Sequence, residues 1–186
     1  MSNNLRELTH DSHKRAEKTK FINKMIKKEL TPYQYYVYLS NQFMIYSTLE
    51  TYANDAGLLS GIAEIKRALE ISKDLRELEV EHGFQPPDAL NSTLKYIKYL
   101  YSIHKEPSKL LSHIYVRHMG DLSGGQIIKR FVPGAGRYYL FDVDVTELKE
   151  KLRERLNDTM AEEAINCFNM VYEFTIELEK SLGIVE

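Results

Sequence analysis

The sequence predicts an all-α protein, a multi-helix bundle in a single domain that spans residues 1–186. Apolar residues recur at three- and four-residue spacing along most of the chain, which is typical of amphipathic helices. No alternating apolar and polar pattern of convincing length competes with this periodicity. A chain of 186 residues is long enough to bury a real hydrophobic core, and no repeat or linker divides it.

Three helices are predicted near the start of the chain. The first runs from about Asn4 to Lys18, and a short one follows near Phe21–Lys28. A third begins at Thr31-Pro32, because threonine is a good N-cap and proline suits the first helical position. Behind this start, large apolar side chains share one helix face: Tyr36, Leu39, Phe43, Tyr46 and Leu49.

The rest of the chain adds five more helices. One covers about Glu64–His82 and ends at Gly83, since glycine readily terminates a helix. Another begins at Thr146-Glu147. The other three are predicted at about Asp88–His104, with Asp88 or a neighbour as its cap, at Ser108–Phe131 and at Glu162–Leu182. Between them, residues 133–136 form a loop, and Tyr138–Val143 is predicted as a short extended piece.

Composition and charge exclude several classes of protein. A formal net charge of −2 argues against a nucleic-acid binder, which normally carries a basic excess. A single cysteine, Cys167, excludes an internal disulfide framework and suits a reducing compartment. There is no apolar signal core and no run of about 20 apolar residues, so we expect a soluble, cytoplasmic protein that does not bind membranes.

The segment Gly120–Gln126 places three glycines inside a predicted buried helix. Each glycine in a helix interior costs roughly 1 kcal/mol relative to alanine. Gly120 and Gly124 lie four residues apart on one helix face, and Gly125 widens this bare strip. The strip indicates close approach of the backbone to a flat ligand; a helix kink or a tight helix crossing is the alternative.

Among the six histidines, His13 is the best candidate for a metal ligand. Glu17 follows four residues later, within reach of the second ring nitrogen, and such a carboxylate orients a ligating imidazole. An ordinary i,i+4 charge pair has the same spacing. Arg6 lies seven residues before His13 on the same face, about 10 Å along the helix axis.

Two further sets of charged residues are candidates for a site. Lys149 and Arg153 lie on one helix face and suit a ligand with two carboxylates, although a solvated, salt-bridged helix surface has the same pattern. Asp121 lies within the glycine strip, one turn after Arg117. A buried carboxylate needs a partner, so Asp121 either organises a chain of water molecules that delivers protons or pairs with Arg117.

Three blocks of this sequence together resemble the heme oxygenase family. They are residues Asp11–Glu17, Tyr115–Gln126 and Leu148–Asn157, in the family's order and at compatible separations. The resemblance covers nearly the whole chain, and the middle block, with its glycines and aspartate, is the specific one. It implies that heme b lies between a proximal helix and a glycine-rich distal helix.

The resemblance also implies a role for each candidate residue. His13 would ligate the heme iron, and Glu17 would bond its other ring nitrogen. On the distal side, dioxygen would bind beside a set of residues that leave room for it and hold water: Tyr46, Arg117, Gly120, Asp121, Gly124 and Gly125. The heme propionates would meet a second set: Arg6, Tyr115, Lys149 and Arg153.

The implied reaction is the oxidative opening of heme, which is both substrate and cofactor, by dioxygen and electrons. Its products are biliverdin, expected as the alpha isomer, carbon monoxide and Fe²⁺. The sequence contains no flavin or nicotinamide motif, so a ferredoxin or similar donor would supply electrons, and a bilin reductase could act downstream. Basic residues near the proximal helix are candidate contacts for an acidic ferredoxin: Lys14, Arg15, Lys18 and Lys20.

Three other functions are compatible with a helical domain of this kind. A heme carrier or sensor would use the same iron ligand without turnover, but it would have little need of Asp121 in a strip of small residues. A thiamin-degrading enzyme on a related bundle would need a cysteine nucleophile, and Cys167 lies in a core-like pattern with Ile165 and Phe168. The last alternative is a helical interaction domain without a ligand.

Overall fold

The computed structural model describes residues 4–184, and these residues form helices and connecting segments without a β-strand. Within this range there are ten α-helices: α1 (Leu5–Leu8), α2 (His10–Glu17), α3 (Lys20–Ile26), α4 (Pro32–Asp55), α5 (Ala68–His82), α6 (Asn91–Ser102), α7 (Pro107–Leu122), α8 (Gly125–Ile128), α9 (Val145–Arg153) and α10 (Ala161–Ser181). Three short 3-10 turns connect them, at Ala63–Ile65, Arg137–Tyr139 and Asp158–Met160. The predicted all-α class is confirmed.

The longest helix, α4, begins where the sequence predicts. The Thr31 hydroxyl accepts a hydrogen bond from the Gln34 backbone N–H, and the Gln34 side chain accepts one from the Thr31 N–H, both at 3.1 Å. This capping box, with Pro32 at the first position, satisfies backbone donors that the first turn leaves free. Helix α4 then packs against α5, α6 and α7, so it forms the centre of the bundle.

Helix α10 connects the two helices on which the sequence places the candidate site. It packs against α2, which carries His13, and against α7, which carries Asp121. The buried core falls into two clusters. The first contains mostly aliphatic side chains from α4, α7, α9 and α10, and the second is rich in tyrosine and includes Tyr46, Tyr138 and Tyr139.

Two predicted helices are interrupted in the structure. The predicted helix Asn4–Lys18 is divided at Thr9, whose hydroxyl donates to the Leu5 carbonyl at 2.8 Å. A threonine that bonds back to the preceding turn often bends a helix. The predicted helix Ser108–Phe131 ends at Leu122, because Ser123 leaves helical geometry with φ −115° and ψ −86°. A helix kink, the alternative explanation of the glycines, is therefore present at this point.

The prediction of a short extended piece at Tyr138–Val143 is wrong. The chain forms a 3-10 turn at Arg137–Tyr139, and the Asp74 carboxylate on α5 accepts backbone hydrogen bonds from Arg137 at 3.0 Å and Tyr138 at 2.9 Å. The Arg67 guanidinium also donates to the Leu140 carbonyl at 2.5 Å. These side-chain partners replace the sheet hydrogen bonds that the sequence pattern suggested.

Two predicted caps also differ from the structure. Helix α6 begins at Asn91 rather than near Asp88, and the Glu177 carboxylate of α10 accepts from the backbone N–H groups of Asn91 and Ser92, at 3.1 and 2.7 Å. Helix α9 is capped by Asp144, which accepts from the Thr146 N–H at 2.7 Å. Gly83 ends α5 in the left-handed conformation, as predicted. Among the described residues, no helix is both long and apolar enough to cross a membrane.

Candidate functional site

His13 lies on the exposed side of α2 and is paired with Glu17 as its spacing predicts. Its Nε2 is 2.9 Å from the Glu17 carboxylate, and the His13 side chain is 45% exposed. The ring packs against Phe168 of α10, with 5.3 Å between ring centroids. Glu17 therefore holds one ring nitrogen while the half-exposed ring leaves the other able to bind a metal from outside the chain.

The position of α2 is fixed by Arg15, two residues after His13. Its guanidinium donates to the Asn169 side chain of α10 at 2.5 Å and lies 4.7 Å above the Tyr172 ring. These contacts hold the His13 helix on α10. Arg15, one of the four basic residues proposed to contact an electron donor, is therefore already bound within the protein.

The three glycines have two different structural roles. A Cβ added to Gly125 would lie 2.7 Å from a ring carbon of Tyr139, so this glycine lets the 3-10 turn pack against α8. A Cβ on Gly120 would meet nothing within 4 Å, and one on Gly124 would meet only the Gly120 carbonyl, at 3.7 Å. Both residues are exposed, so packing within the described chain does not explain why they are glycines.

Asp121 is buried beside this open backbone and hydrogen-bonded to Tyr46. The Tyr46 hydroxyl on α4 donates to Asp121 Oδ2 at 2.8 Å, and Asp121 is only 5% exposed. Burial raises the pKa of Asp121 to about 6, although the charge of His118 and the Tyr46 hydrogen bond oppose this effect. A carboxyl group with this pKa changes protonation state near neutral pH.

Arg117 does not pair with Asp121, contrary to the simpler explanation of their spacing. Its Nη1 donates to the Gln42 side chain at 2.8 Å, and its guanidinium lies 4.9 Å from the Tyr96 ring centroid. Its Nη2 is buried and has no hydrogen-bond partner within the described part of the chain. An unpartnered buried donor of this kind is normally satisfied by water or a ligand.

The candidate propionate contacts are dispersed over three helices. Arg6 is exposed on α1, Tyr115 is half-buried on α7, and Lys149 and Arg153 lie on α9, which packs against α7. Within residues 4–184, neither Lys149 nor Arg153 forms an ion pair, whereas their neighbour Lys151 pairs with Glu147 at 2.6 Å. The two cations that the sequence predicts for a ligand are thus available, and the salt-bridged surface is formed by Lys151.

Several residues around Asp121 were not predicted from the sequence. His118 donates from Nε2 to Glu50 at 3.0 Å, and the Gln126 side chain donates to the Asp121 and Tyr139 carbonyls, each at 3.0 Å. His118 lies three residues before Asp121, so helical spacing alone could have placed both side chains near each other. The partners Gln42 and Glu50 come from α4, and no sequence pattern indicates which face of α4 meets α7.

These side chains fit a heme. A half-exposed histidine held by a carboxylate suits an iron ligand, the open backbone at Gly120 and Gly124 leaves space for a flat ring, and a buried carboxyl group lies beside that space. Comparison with known proteins decides the family, because the family model described as heme oxygenase matches residues 1–174. The chain belongs to the heme oxygenase family.

The relatives that this chain resembles come from algae and vertebrates. The heme oxygenase of Porphyra purpurea is 31% identical over 147 residues, covering 73% of this chain and 60% of that protein. Heme oxygenase 1 of Gallus gallus is 27% identical, covering 84% of this chain and 59% of the relative. The chain thus spans about three fifths of the length of these two relatives, and 87% of the Guillardia theta heme oxygenase, which is 28% identical.

Solved structures of heme oxygenases share the fold. Heme oxygenase-2 from Synechocystis sp. PCC 6803, solved in complex with heme and NO, superposes with a TM-score of 0.85 at 26% identity, covering 97% of this chain and 86% of that one. The heme oxygenase from Leptospira interrogans gives a TM-score of 0.82 at 26% identity, covering 94% and 97%. The bundle described above is therefore the heme oxygenase fold.

Proposed function

We propose that this chain binds heme b and opens its ring oxidatively, using dioxygen and electrons, to give biliverdin, carbon monoxide and Fe²⁺. The observation that carries the proposal is the open backbone at Gly120 and Gly124 beside the buried Tyr46–Asp121 pair. Neither glycine is required by packing within the described residues, and both border a group that can exchange a proton. Membership of the heme oxygenase family supports the same reaction.

His13 is the residue that would hold the heme iron. Glu17 keeps one ring nitrogen engaged at 2.9 Å, which orients the ring and makes the other nitrogen a better donor. Phe168 supports the ring on its other side. A neutral imidazole in this position donates less electron density than a thiolate would. The bound heme would supply the iron that activates dioxygen and the ring that is cleaved.

Asp121 would hold and deliver protons on the opposite side of the heme. The Tyr46 hydroxyl fixes one carboxylate oxygen, and the pKa of about 6 lets the carboxyl group take up and release a proton near neutral pH. Arg117, with its buried unpartnered Nη2, would bind a water molecule in the same network. Gly120 and Gly124 would admit the small diatomic ligand by leaving the backbone bare.

Cations at the edge of the site would set the rotation of the heme. Arg6, Lys149 and Arg153, together with the Tyr115 hydroxyl, would bind the propionates, and this orientation would direct cleavage to the alpha position. Electrons would come from a ferredoxin or similar acidic donor. Lys14 and Lys18 are exposed near His13 and suit such a partner, while Arg15 is held by Asn169 and Tyr172. A bilin reductase could take up the product.

The proposal is tested by hemin titration and product analysis of the wild type beside His13→Ala and Asp121→Asn. The wild type should bind hemin and yield biliverdin under reductant in air. His13→Ala should change the heme absorption spectrum because the axial ligand is lost. Asp121→Asn should bind hemin normally but lose ring opening by about a hundredfold, the typical contribution of a positioned proton donor. Heme that binds the wild type without ever being cleaved would instead establish a carrier or sensor.

A further inference from the structure

A buried histidine–glutamate hydrogen bond, distinct from the residues assigned above, joins α7 to α4. His118 Nε2 lies 3.0 Å from Glu50 Oε1, and the two side chains are 0% and 7% exposed. A buried pair of this kind contributes little net stability, because removing the two groups from water offsets their attraction. Its position close to Asp121 therefore suggests a function in the reaction.

His118 lies beside the Tyr46–Asp121 pair and packs against Tyr46. It lies one helical turn before Asp121 on α7, and its ring is 5.1 Å from the Tyr46 ring, centroid to centroid. Tyr46 in turn donates to Asp121 at 2.8 Å. His118 thus acts on Asp121 by packing against the tyrosine that holds it.

The second ring nitrogen of His118, Nδ1, provides a place for a bound water molecule. His118 Nδ1 is buried and has no hydrogen-bond partner within the described part of the protein. Buried polar nitrogens are nearly always satisfied, and an internal water molecule is the usual partner where protein groups are absent. A water molecule at this nitrogen would extend the polar network around Asp121.

Glu50 is fixed in place and in contact with solvent. Its two carboxylate oxygens accept from the backbone N–H groups of Arg67 at 2.5 Å and Ala68 at 3.2 Å, where α5 begins. Glu50 also lines a surface cleft of about 620 Å³ between α4 and the start of α5.

From this geometry we propose that His118, held by Glu50, is a positioning residue for Asp121: its ring packs against Tyr46 and so fixes the Tyr46 hydroxyl against the carboxylate. The titratable and charged groups around this arrangement come from every adjoining element: Tyr46 and Glu50 on α4, Arg117 and Asp121 on α7, Arg67 before α5 and Tyr138 in the 3-10 turn. The inference rests on the proposed role of Asp121 in proton delivery.

The decisive test measures Asp121 directly in the heme-free protein, by ¹³C NMR titration of its carboxyl group. His118→Gln keeps an N–H donor for Glu50 but removes the ring that packs against Tyr46. The pKa of Asp121 should rise above about 6 by about one unit, a tenfold gain in proton affinity. Because no heme is present, this result does not depend on whether the protein cleaves heme.

His113→Gln is the matched control. His113 lies on the same helix, is equally buried and also donates from Nε2 to a glutamate, Glu163, at 2.8 Å, but its neighbours are Tyr96 and Cys167. It should alter stability to a similar degree and leave the Asp121 titration unchanged. An Asp121 pKa that stays at the wild-type value in His118→Gln, or that moves equally in His113→Gln, would overturn the proposal.

A second variant covers the possibility that His118→Gln does not fold. Glu50→Gln removes the carboxylate that accepts from His118 Nε2 and keeps an oxygen that can accept from the Arg67 backbone. The pKa of Asp121 should again rise, and the limb of the ring-opening pH profile that follows Asp121 should move to higher pH by the same amount. An unchanged titration in Glu50→Gln would also contradict the proposal.

Discussion

At the residue scale, the three glycines of the segment Gly120–Gln126 differ in whether packing within the protein requires them. Gly125 is required by the Tyr139 ring, and Gly124 is the N-cap residue of α8 in the turn that follows α7. Gly120 is different, because a methyl group there would meet nothing within 4 Å. A glycine within a helix lowers the stability of that helix, and where packing does not require it, such a cost is typical of a functional site.

Replacing Gly120 with alanine should therefore stabilise the free protein and damage its function. We expect a gain of about 0.5–1 kcal/mol in the free energy of unfolding, the usual difference between the two residues in a helix. Heme affinity should fall by roughly tenfold, about 1.4 kcal/mol, because the methyl group occupies space meant for the ring. Urea unfolding and hemin titration measure the two effects.

Gly125→Ala is the control for this prediction, since its methyl group would collide with Tyr139 at 2.7 Å. Overpacking of this kind costs about 1–3 kcal/mol, so this variant should lose stability. If Gly120→Ala binds and cleaves heme as well as the wild type, the open backbone is not the heme surface.

Asp121 should also leave a signature in the pH dependence of stability. Its pKa is raised by burial from 3.8 to about 6, so the folded protein binds this proton more tightly than the unfolded chain. The contribution of Asp121 to the free energy of unfolding is therefore fully present below about pH 4 and is lost as the pH rises through about 6. Urea unfolding of the wild type and Asp121→Asn should show a wild-type advantage that shrinks over this range. A constant difference between the two would mean that Asp121 titrates normally.

At the element scale, the helices that the sequence predicts well are those whose caps are local. Helix α4 starts at its predicted capping box, and α5 ends at Gly83. The errors occur where the partner is distant in sequence: Glu177 caps α6, and Asp74 fixes the 3-10 turn at Arg137–Tyr139. The spacing of apolar residues indicates only which secondary structure a segment favours by itself, whereas these contacts depend on the tertiary structure.

Helix α9 carries the prediction about heme orientation. Replacing Lys149 and Arg153 together with glutamine should weaken hemin binding by about tenfold and yield a mixture of biliverdin isomers, because two cations that hold the propionates are gone. Chromatography of the product identifies the isomers. Lys151→Gln is the control, since Lys151 is already paired with Glu147 on the surface. An unchanged isomer and affinity in the double variant would assign Lys149 and Arg153 to the solvated surface.

At the scale of the whole molecule, α10 connects the two helices that carry the proposed iron ligand and the proposed proton donor. It supports the His13 helix through Phe168 and Asn169 and also packs on α7, which carries Asp121. The sequence predicts the residues themselves, because the glycine–aspartate block and the His13–Glu17 spacing are local patterns. It does not predict Gln42 and Glu50 as the partners of Arg117 and His118, since only the packing of α4 on α7 brings them together.

The central claim is that this chain cleaves heme, and one absorption time course tests it most directly. The chain of residues 1–186 is mixed with hemin in air, and ascorbate or reduced ferredoxin is added. We expect loss of the Soret band with growth of the broad red absorption of biliverdin, at a rate that falls about a hundredfold in Asp121→Asn. A Soret band that forms and then persists under reductant would contradict the account.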